Sequence, residues 1–154
     1  MRYDIVSDTH GALSSELIEA LQGADVIVHA GDIGSAETYT QLAAIAPVHA
    51  CLGNNDWASL YGPSVKRKIA FFSEGFRWMV CHYERDLDLK RCDIAICGHT
   101  HRPFVRRDHH TNTLVMNPGS PTWPRSGEPS MGRIIVKNET IVEARVFDLE
   151  SALL

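Results

Sequence analysis

Asp93-Ile94-Ala95-Ile96-Cys97-Gly98-His99-Thr100-His101 is the stretch that decides how the rest of the chain folds. A short apolar run bounded by a turn reads as a buried strand. Here the run ends in a glycine and two imidazoles. Residues two apart in an extended chain project to the same side, so His99 and His101 are expected to face together. Neutral imidazole is the commonest protein metal ligand, although a His-x-His pair alone also fits an ordinary surface loop. Three other apolar runs finish in the same way. Residues 3–7 lead into Asp8-Thr9-His10-Gly11, residues 26–30 into Gly31-Asp32-Ile33-Gly34, and residues 48–52 into Gly53-Asn54-Asn55-Asp56.

Between these runs the apolar period changes from two to nearly four. Ser14 or Ser15 is an N-cap candidate for a helix ending at Gln22, with Leu17, Ile18 and Leu21 on one face and Gly23 as its stop. Ser35 caps a second helix whose inner face is Tyr39, Leu42, Ala43 and Ile45 or Ala46, ended by Pro47. Strand–helix–strand–helix–strand implies parallel strands with right-handed crossovers. The second half reads differently. Residues 68–72 and 76–82 form a hairpin across Ser73-Glu74-Gly75. Residues 85–91 hold a helical turn before the 93–97 strand, and residues 105–107 and 113–117 are further strands. A last hairpin joins residues 133–137 to 141–147. The expected class is α/β: two facing mixed sheets flanked by helices, in one domain spanning residues 1–154.

At 154 residues the chain suits a single core, and 22% charged with 44% hydrophobic residues is ordinary globular composition. A net charge of -4 disfavours a nucleic-acid coat or polybasic anchor. No apolar run reaches the roughly 20 residues a bilayer requires, so no membrane association is expected. Cys51, Cys81, Cys92 and Cys97 all fall in strand-like runs without a C-x-x-C pair. That fits buried reduced thiols and a cytoplasmic setting, with no disulfide frame.

Ligands of α/β sheets bind beyond the carboxyl ends of the strands. Those ends offer Asp8, His10, Asp32, Asn54, His82, His99 and His101, seven N/O side chains. Such a mixture suits manganese, iron or zinc better than magnesium or calcium. Seven is too many for one tetrahedral ion and about right for two ions sharing a carboxylate. Two ions a few ångströms apart lower the pKa of a shared water and clamp the oxygens of a phosphate. Phosphoester hydrolysis by the resulting hydroxide is the reaction such a set best explains. Taken one at a time the residues have plainer readings: Asp8 or Asp32 as turn formers, Asn54 as a left-handed turn residue, His82 as a core imidazole. His29, inside a strand, reads as a core or supporting group. Arg125, after a proline-rich loop, is a candidate phosphate clamp through its forked donors, or an exposed loop arginine. Trp57 either stacks on substrate or packs on the rim.

Asp8-Thr9-His10, Gly31-Asp32, Gly53-Asn54-x-Asp56, His82 and Gly98-His99-Thr100-His101 together resemble, in order, the signature of the calcineurin-like metallophosphoesterases. Ser7 to Gly11, together with Asn117-Pro118-Gly119-Ser120 and Pro124-Arg125, resemble the small bacterial and archaeal phosphodiesterases of that superfamily. The likeness covers essentially the whole chain. It implies a four-layer α/β/β/α sandwich holding two divalent ions, most readily manganese, with iron, zinc or nickel as alternatives. It implies one metal on Asp8, His10, Asp32 and His101, with Asp32 bridging to a second held by Asn54, His82 and His99. Asp32, Asn54, Asp56 and His99 are then the catalytic candidates, and Asn54, Asn55 and Arg125 the contacts to a small phosphoester substrate.

Three departures from the pattern stand out. Asn55 occupies a position where many relatives have a histidine that protonates the leaving group. Tyr83 follows His82 where glycine is usual, and only ten residues separate His82 from Asp93, leaving room for a turn or two. A non-catalytic scaffold, as in the retromer subunit that resembles this family, is the rival from another class. A nuclease is the rival within the same chemistry. A homo-oligomer is compatible with the sequence.

Overall fold

The structure is a computed structural model, and it describes residues 1–125 and 127–149. In chain order its elements are β1 (Arg2–Val6), α1 (Ser15–Ala20), β2 (Val26–His29), α2 (Ala36–Ile45), β3 (Val48–Ala50), β4 (Lys68–Ser73), β5 (Phe76–Cys81), β6 (Ile94–Ile96), β7 (Phe104–Arg107), β8 (Leu114–Asn117), β9 (Ser130–Lys137) and β10 (Thr140–Asp148). They form two five-stranded mixed sheets, ordered β10-β9-β1-β2-β3 and β4-β5-β6-β8-β7. Each has three adjacent parallel strands, β1-β2-β3 in the first and β5-β6-β8 in the second. The α/β sandwich expected from the sequence is therefore present, hairpins included.

Alternation along β1 explains how the sheets stack. Tyr3 and Ile5 join Val28, Trp78, Val80, Ile94, Ile96, Met116 and Ile134 in the layer between the sheets. Val6 faces the other way, with Leu17, Leu21, Ile27, Leu42 and Met131, under the two helices. Both faces of β1 are thus covered, which is why its run has so little polar alternation. Asp4, on the helix side and fully buried, is held by Arg2 (2.7 Å) and Arg133 (2.7 Å). The same guanidiniums cap α1 by donating to Ala20 O, so that helix stops two residues earlier than its apolar period suggests.

Two details differ from the periodic reading. Ile18 is 37% exposed, because Leu17 and Leu21, one turn apart, already fill the stripe that meets the sheet. In α2 the buried positions are Thr38 and Leu42, while Ala43 is exposed, a rotation of one residue. The outer face of the second sheet is thinly covered. Met79, Cys81, Cys92, Ala95 and Val115 lie under Leu87, Leu89 and Phe104, so the fourth layer consists of two single 3-10 turns, Glu84–Asp86 and Leu89–Arg91. The short spacing between His82 and Asp93 allows no more. All four cysteines are free and buried, and among the described residues no helix is long and apolar enough to cross a membrane.

Candidate metal centre

The carboxyl ends of β1, β2, β3, β5 and β6 meet at one edge of the sandwich, and the backbone there is unusual. Among the described residues nine non-glycine residues have positive φ, and five of them are Asp8 (56°), His10 (49°), Asp32 (57°), His99 (70°) and His101 (59°). Left-handed backbone costs a non-glycine residue on the order of 1 kcal/mol or more. Its concentration on the sequence-derived ligands marks this edge as selected for something other than stability.

The loops after β1 and β2 run side by side. Asp8 N donates to Gly31 O (2.9 Å), His10 N to Asp32 O (3.0 Å) and Gly11 N to Ile33 O (2.8 Å). His29 reinforces the pair from below, accepting from Gly31 N through Nδ1 (3.1 Å) and therefore donating from Nε2 to Thr9 Oγ1 (3.0 Å). Thr9 passes its own proton to Ile33 O. Burial lowers the His29 pKa to about 4 and keeps the ring neutral, as this tautomer requires. The supporting role read for His29 is what the fold gives it.

Asp56 ties in the third loop. One carboxylate oxygen accepts from Asp32 N (2.8 Å) and Gly53 N (2.8 Å), the other from Ile33 N (3.0 Å) and Gly34 N (3.2 Å). Tyr61 Oη adds a longer donation at 3.4 Å, and burial followed by the Asp56 charge pushes that phenol up to about 12. With both oxygens occupied by backbone, Asp56 clamps its own loop to the one after β2, which is tied in turn to the loop after β1. Positioning these loops is the part the fold gives Asp56.

The opposite wall comes from the second sheet. His82, 3% exposed, donates from Nδ1 to Ala30 O (2.8 Å), which leaves the Nε2 lone pair facing inward. His101 does the same, its Nδ1 donating to Trp123 O. Inward, Nε2 of His101, His10 and His82 lie 3.3, 3.8 and 3.8 Å from Asp8 Oδ1. Asp32 Oδ2 lies 3.5 Å from His82 Nε2 and 3.8 Å from His10 Nε2. Burial works against an ionised Asp32, but its pairing with His82 and the hydrogen bonds from the Asn55 backbone and side chain outweigh it and hold its pKa well down. Ligand atoms therefore gather in two groups, Asp8–His10–His101 and Asp8–Asp32–His82. The carboxylate common to both is Asp8, while Asp32 also faces His10 and His82.

The decisive atom is Asp8 Oδ1. It is fully buried and has no hydrogen-bond partner among the described residues, whereas Oδ2 accepts from Ser7 Oγ (2.6 Å) and His99 N (2.9 Å). An anionic oxygen buried without a donor costs several kcal/mol unless a cation meets it. Carboxylates with inward imidazole lone pairs fit a divalent transition ion. Close packing guards the same atoms: a Cβ on Gly98 would lie 2.0 Å from Ser7 Oγ and 2.8 Å from Asp8 Oδ2, and one on Gly53 would lie 2.1 Å from Asp32 Oδ1.

The remaining predicted residues sit around this core. Asn54 Oδ1 is 3.0 Å from His82 Nε2, which brings it to the second group. Asn55 turns inward, its backbone N (2.9 Å) and Nδ2 (3.1 Å) both donating to Asp32. It holds the Asp32 carboxylate from the loop that follows β3. The His99 ring joins neither group. It stands edge-on to His82 (centroids 5.1 Å) and tilted against Tyr83 (4.5 Å). Tyr83 has φ −96°, so no glycine is needed there. Its ring simply occupies the rim. Arg125 lines a recess with His99, Thr100 and Arg102. Trp57 is 74% exposed and does not pack on the rim. Sequence reasoning missed Ser7, Thr9, Asn117 and Ser120. Ser120 Oγ donates to Asp8 O (2.8 Å), and Asn117 Nδ2 holds Gly98 O (3.0 Å). Their sequence signal was membership of the motif runs that carry the family resemblance, which gave them no role of their own.

Comparison with known proteins agrees with this geometry. The profile of the calcineurin-like phosphoesterase superfamily domain matches residues 1–139. A chain from Methanothermobacter thermautotrophicus described as a "Probable metallophosphoesterase" is 33% identical, over 92% of this chain and 89% of that one. Among solved structures, a novel archaeal phosphodiesterase superposes with a TM-score of 0.74 at 20% identity, covering 96% of this chain and all of the other. Vps29 from Entamoeba histolytica gives 0.75 at 18% identity, over 96% and 99%. The last two show a shared sandwich and nothing more. The profile match and the archaeal relative carry the conclusion: this chain belongs to the calcineurin-like phosphoesterase superfamily.

Proposed function

We propose that this protein is a phosphodiesterase that works with two divalent ions, manganese foremost and iron, zinc or nickel as alternatives. The supporting observation is Asp8 Oδ1, a buried carboxylate oxygen with no donor and three imidazole nitrogens around it. Asp8, His10 and His101 would hold one ion. Asp32 and His82, with Asn54 beside them and His99 from the rim, would hold the other, sharing the Asp8 and Asp32 carboxylates. When bound, the ions would neutralise charge on the phosphate and acidify water enough for it to ionise near neutral pH.

The chain's own part is positioning. Ala30 O and Trp123 O fix the tautomers of His82 and His101, so neither ring must reorganise to offer a lone pair. Asp56 and Asn55 fix Asp32 from two directions. Asn55 has no titratable proton to give a departing alkoxide. The substrates it favours are small diesters with acidic leaving groups, turned over slowly. A scaffold without ions would gain nothing from keeping Asp8 Oδ1 buried and unpaired.

The test is Mn²⁺-dependent hydrolysis of bis-p-nitrophenyl phosphate by the wild type and by Asp32→Asn. The variant is expected to lose about 100-fold or more of the activity, the scale seen when a group aimed at developing charge is removed. No manganese-dependent hydrolysis, or full activity in the variant, overturns the proposal.

A further inference from the structure

Beside the metal centre, on the far side of His99, an open recess is lined by His99, Thr100, Arg102 and Arg125. Its charge is one-sided, with two guanidiniums and no carboxylate among the lining residues. Elsewhere the arginines are largely committed: Arg2, Arg77, Arg91, Arg106, Arg133 and Arg145 each hold an acidic side chain. Arg85 lies over the Tyr83 ring, and Arg107 donates to Asn112 O. Among the described residues Arg67, Arg85, Arg102, Arg107 and Arg125 have no ion-pair partner, and of these Arg102 and Arg125 line one recess together.

Thr100 adds a donor. Its Oγ1 already accepts from Arg102 N (3.3 Å) and Asn117 Nδ2 (3.1 Å), so its own proton is free to be donated. A recess that offers guanidinium forks and a hydroxyl, and no acidic acceptor, is complementary to a phosphate monoester, which guanidinium binds in bidentate fashion. The recess is also continuous with the metal edge. The backbone N of His99 donates to Asp8 Oδ2 and its ring meets that of His82, so one residue separates the recess from the proposed ions.

We infer that Arg102, Arg125 and Thr100 form a second-phosphate subsite, and that the preferred substrates are phosphodiesters carrying an additional phosphate monoester on the same molecule. The inference rests on the phosphoesterase reading for what occupies the neighbouring centre. Arg125 would accordingly grip the non-reacting phosphate and leave the scissile one to the ions.

The probes are the p-nitrophenyl ester of thymidine 5′-phosphate with and without a 3′-phosphate, together with thymidine 5′-phosphate and thymidine 3′,5′-bisphosphate as non-reacting ligands. Calorimetric binding to the manganese-loaded wild type should favour the bisphosphate by about tenfold or more, the worth of one or two charge-assisted hydrogen bonds. kcat/KM for the two esters should follow the same ratio. In Arg102→Gln/Arg125→Gln both preferences should fall to within about twofold, with a part restored by Arg102→Lys/Arg125→Lys; both side chains are exposed, so folding is not at issue. Equal binding of the two ligands, or a preference that survives the Gln double variant, overturns the inference. Hydrolysis without the preference removes the subsite and leaves the phosphodiesterase standing. An arginine-dependent binding preference without hydrolysis keeps the subsite and removes the enzyme.

Discussion

The two walls of the metal edge are held in place by different means. The first-sheet wall, made by the loops after β1, β2 and β3, is cross-tied through backbone. Asp8, His10 and Gly11 donate to the neighbouring loop, and Asp56 gathers three N–H groups from that loop and one from its own. The rings of the second-sheet wall are pinned one side chain at a time, His82 by Ala30 O, His101 by Trp123 O, and the His99 ring by its contacts with His82 and Tyr83. A wall tied by backbone keeps its shape whatever occupies the centre. A wall of single pins leaves room for rings such as His99 to meet substrate. Preorganised charge on one side and adaptable imidazole on the other is the division of labour that the proposed metal-assisted hydrolysis would need.

The comparison turns first on Asp8, the residue that both ligand groups share. Asp8→Asn should lower metal affinity about 100-fold or more, since even partners that merely orient a ligand are worth 10- to 100-fold. It should at the same time raise the stability of the metal-free protein by about 1 kcal/mol, because a buried unpaired anionic oxygen is removed. Metal titration and chemical denaturation of the chelated protein measure the two effects, and a stability loss in the chelated variant would contradict the account of Oδ1. Next comes the clamp. Asp56→Ala frees four backbone donors at once and should cost about 3 kcal/mol or more. Tyr83→Ala, on the second wall, should stay within about 1 kcal/mol, and equal losses in the two would erase the distinction between walls.

The smallest effect concerns pH. His29 has a folded pKa near 4 against 6.5 for the free side chain. Between those values the unfolded chain binds a proton that the folded one does not. Stability is therefore complete above about pH 6.5 and falls as pH drops towards 4. From pH 7 to pH 5 this group alone should remove about 2 kcal/mol. His29→Gln should show a shallower decline than the wild type in urea titrations over that range, and parallel curves would show that His29 is not the group responsible.

Much of the edge was legible in the chain because strand ends carry their chemistry with them. Asp8, Asp32 and His101 each follow an apolar run by one to four residues, so once the strands are parallel these side chains must arrive at a common edge. Periodicity misjudged Ile18 and Ala43 because a helix stripe is set by the surface it meets. Asp56 reads as a catalytic candidate and Asn55 as a substrate contact in the chain alone because composition and spacing do not say which way a loop side chain turns. One faces backbone N–H groups and the other faces Asp32.

Local order alone determined the class of the fold and which side chains are candidate ligands, since hydrophobic period and strand-end position depend on near neighbours in the chain. Only the packed sheets decided that Asp8 would be the carboxylate common to both ligand groups, that one of its oxygens would be left without a donor, and that two arginines more than 20 residues apart in sequence would share a recess beside it. Those facts depend on distances between segments that the chain brings together only once its apolar faces are buried.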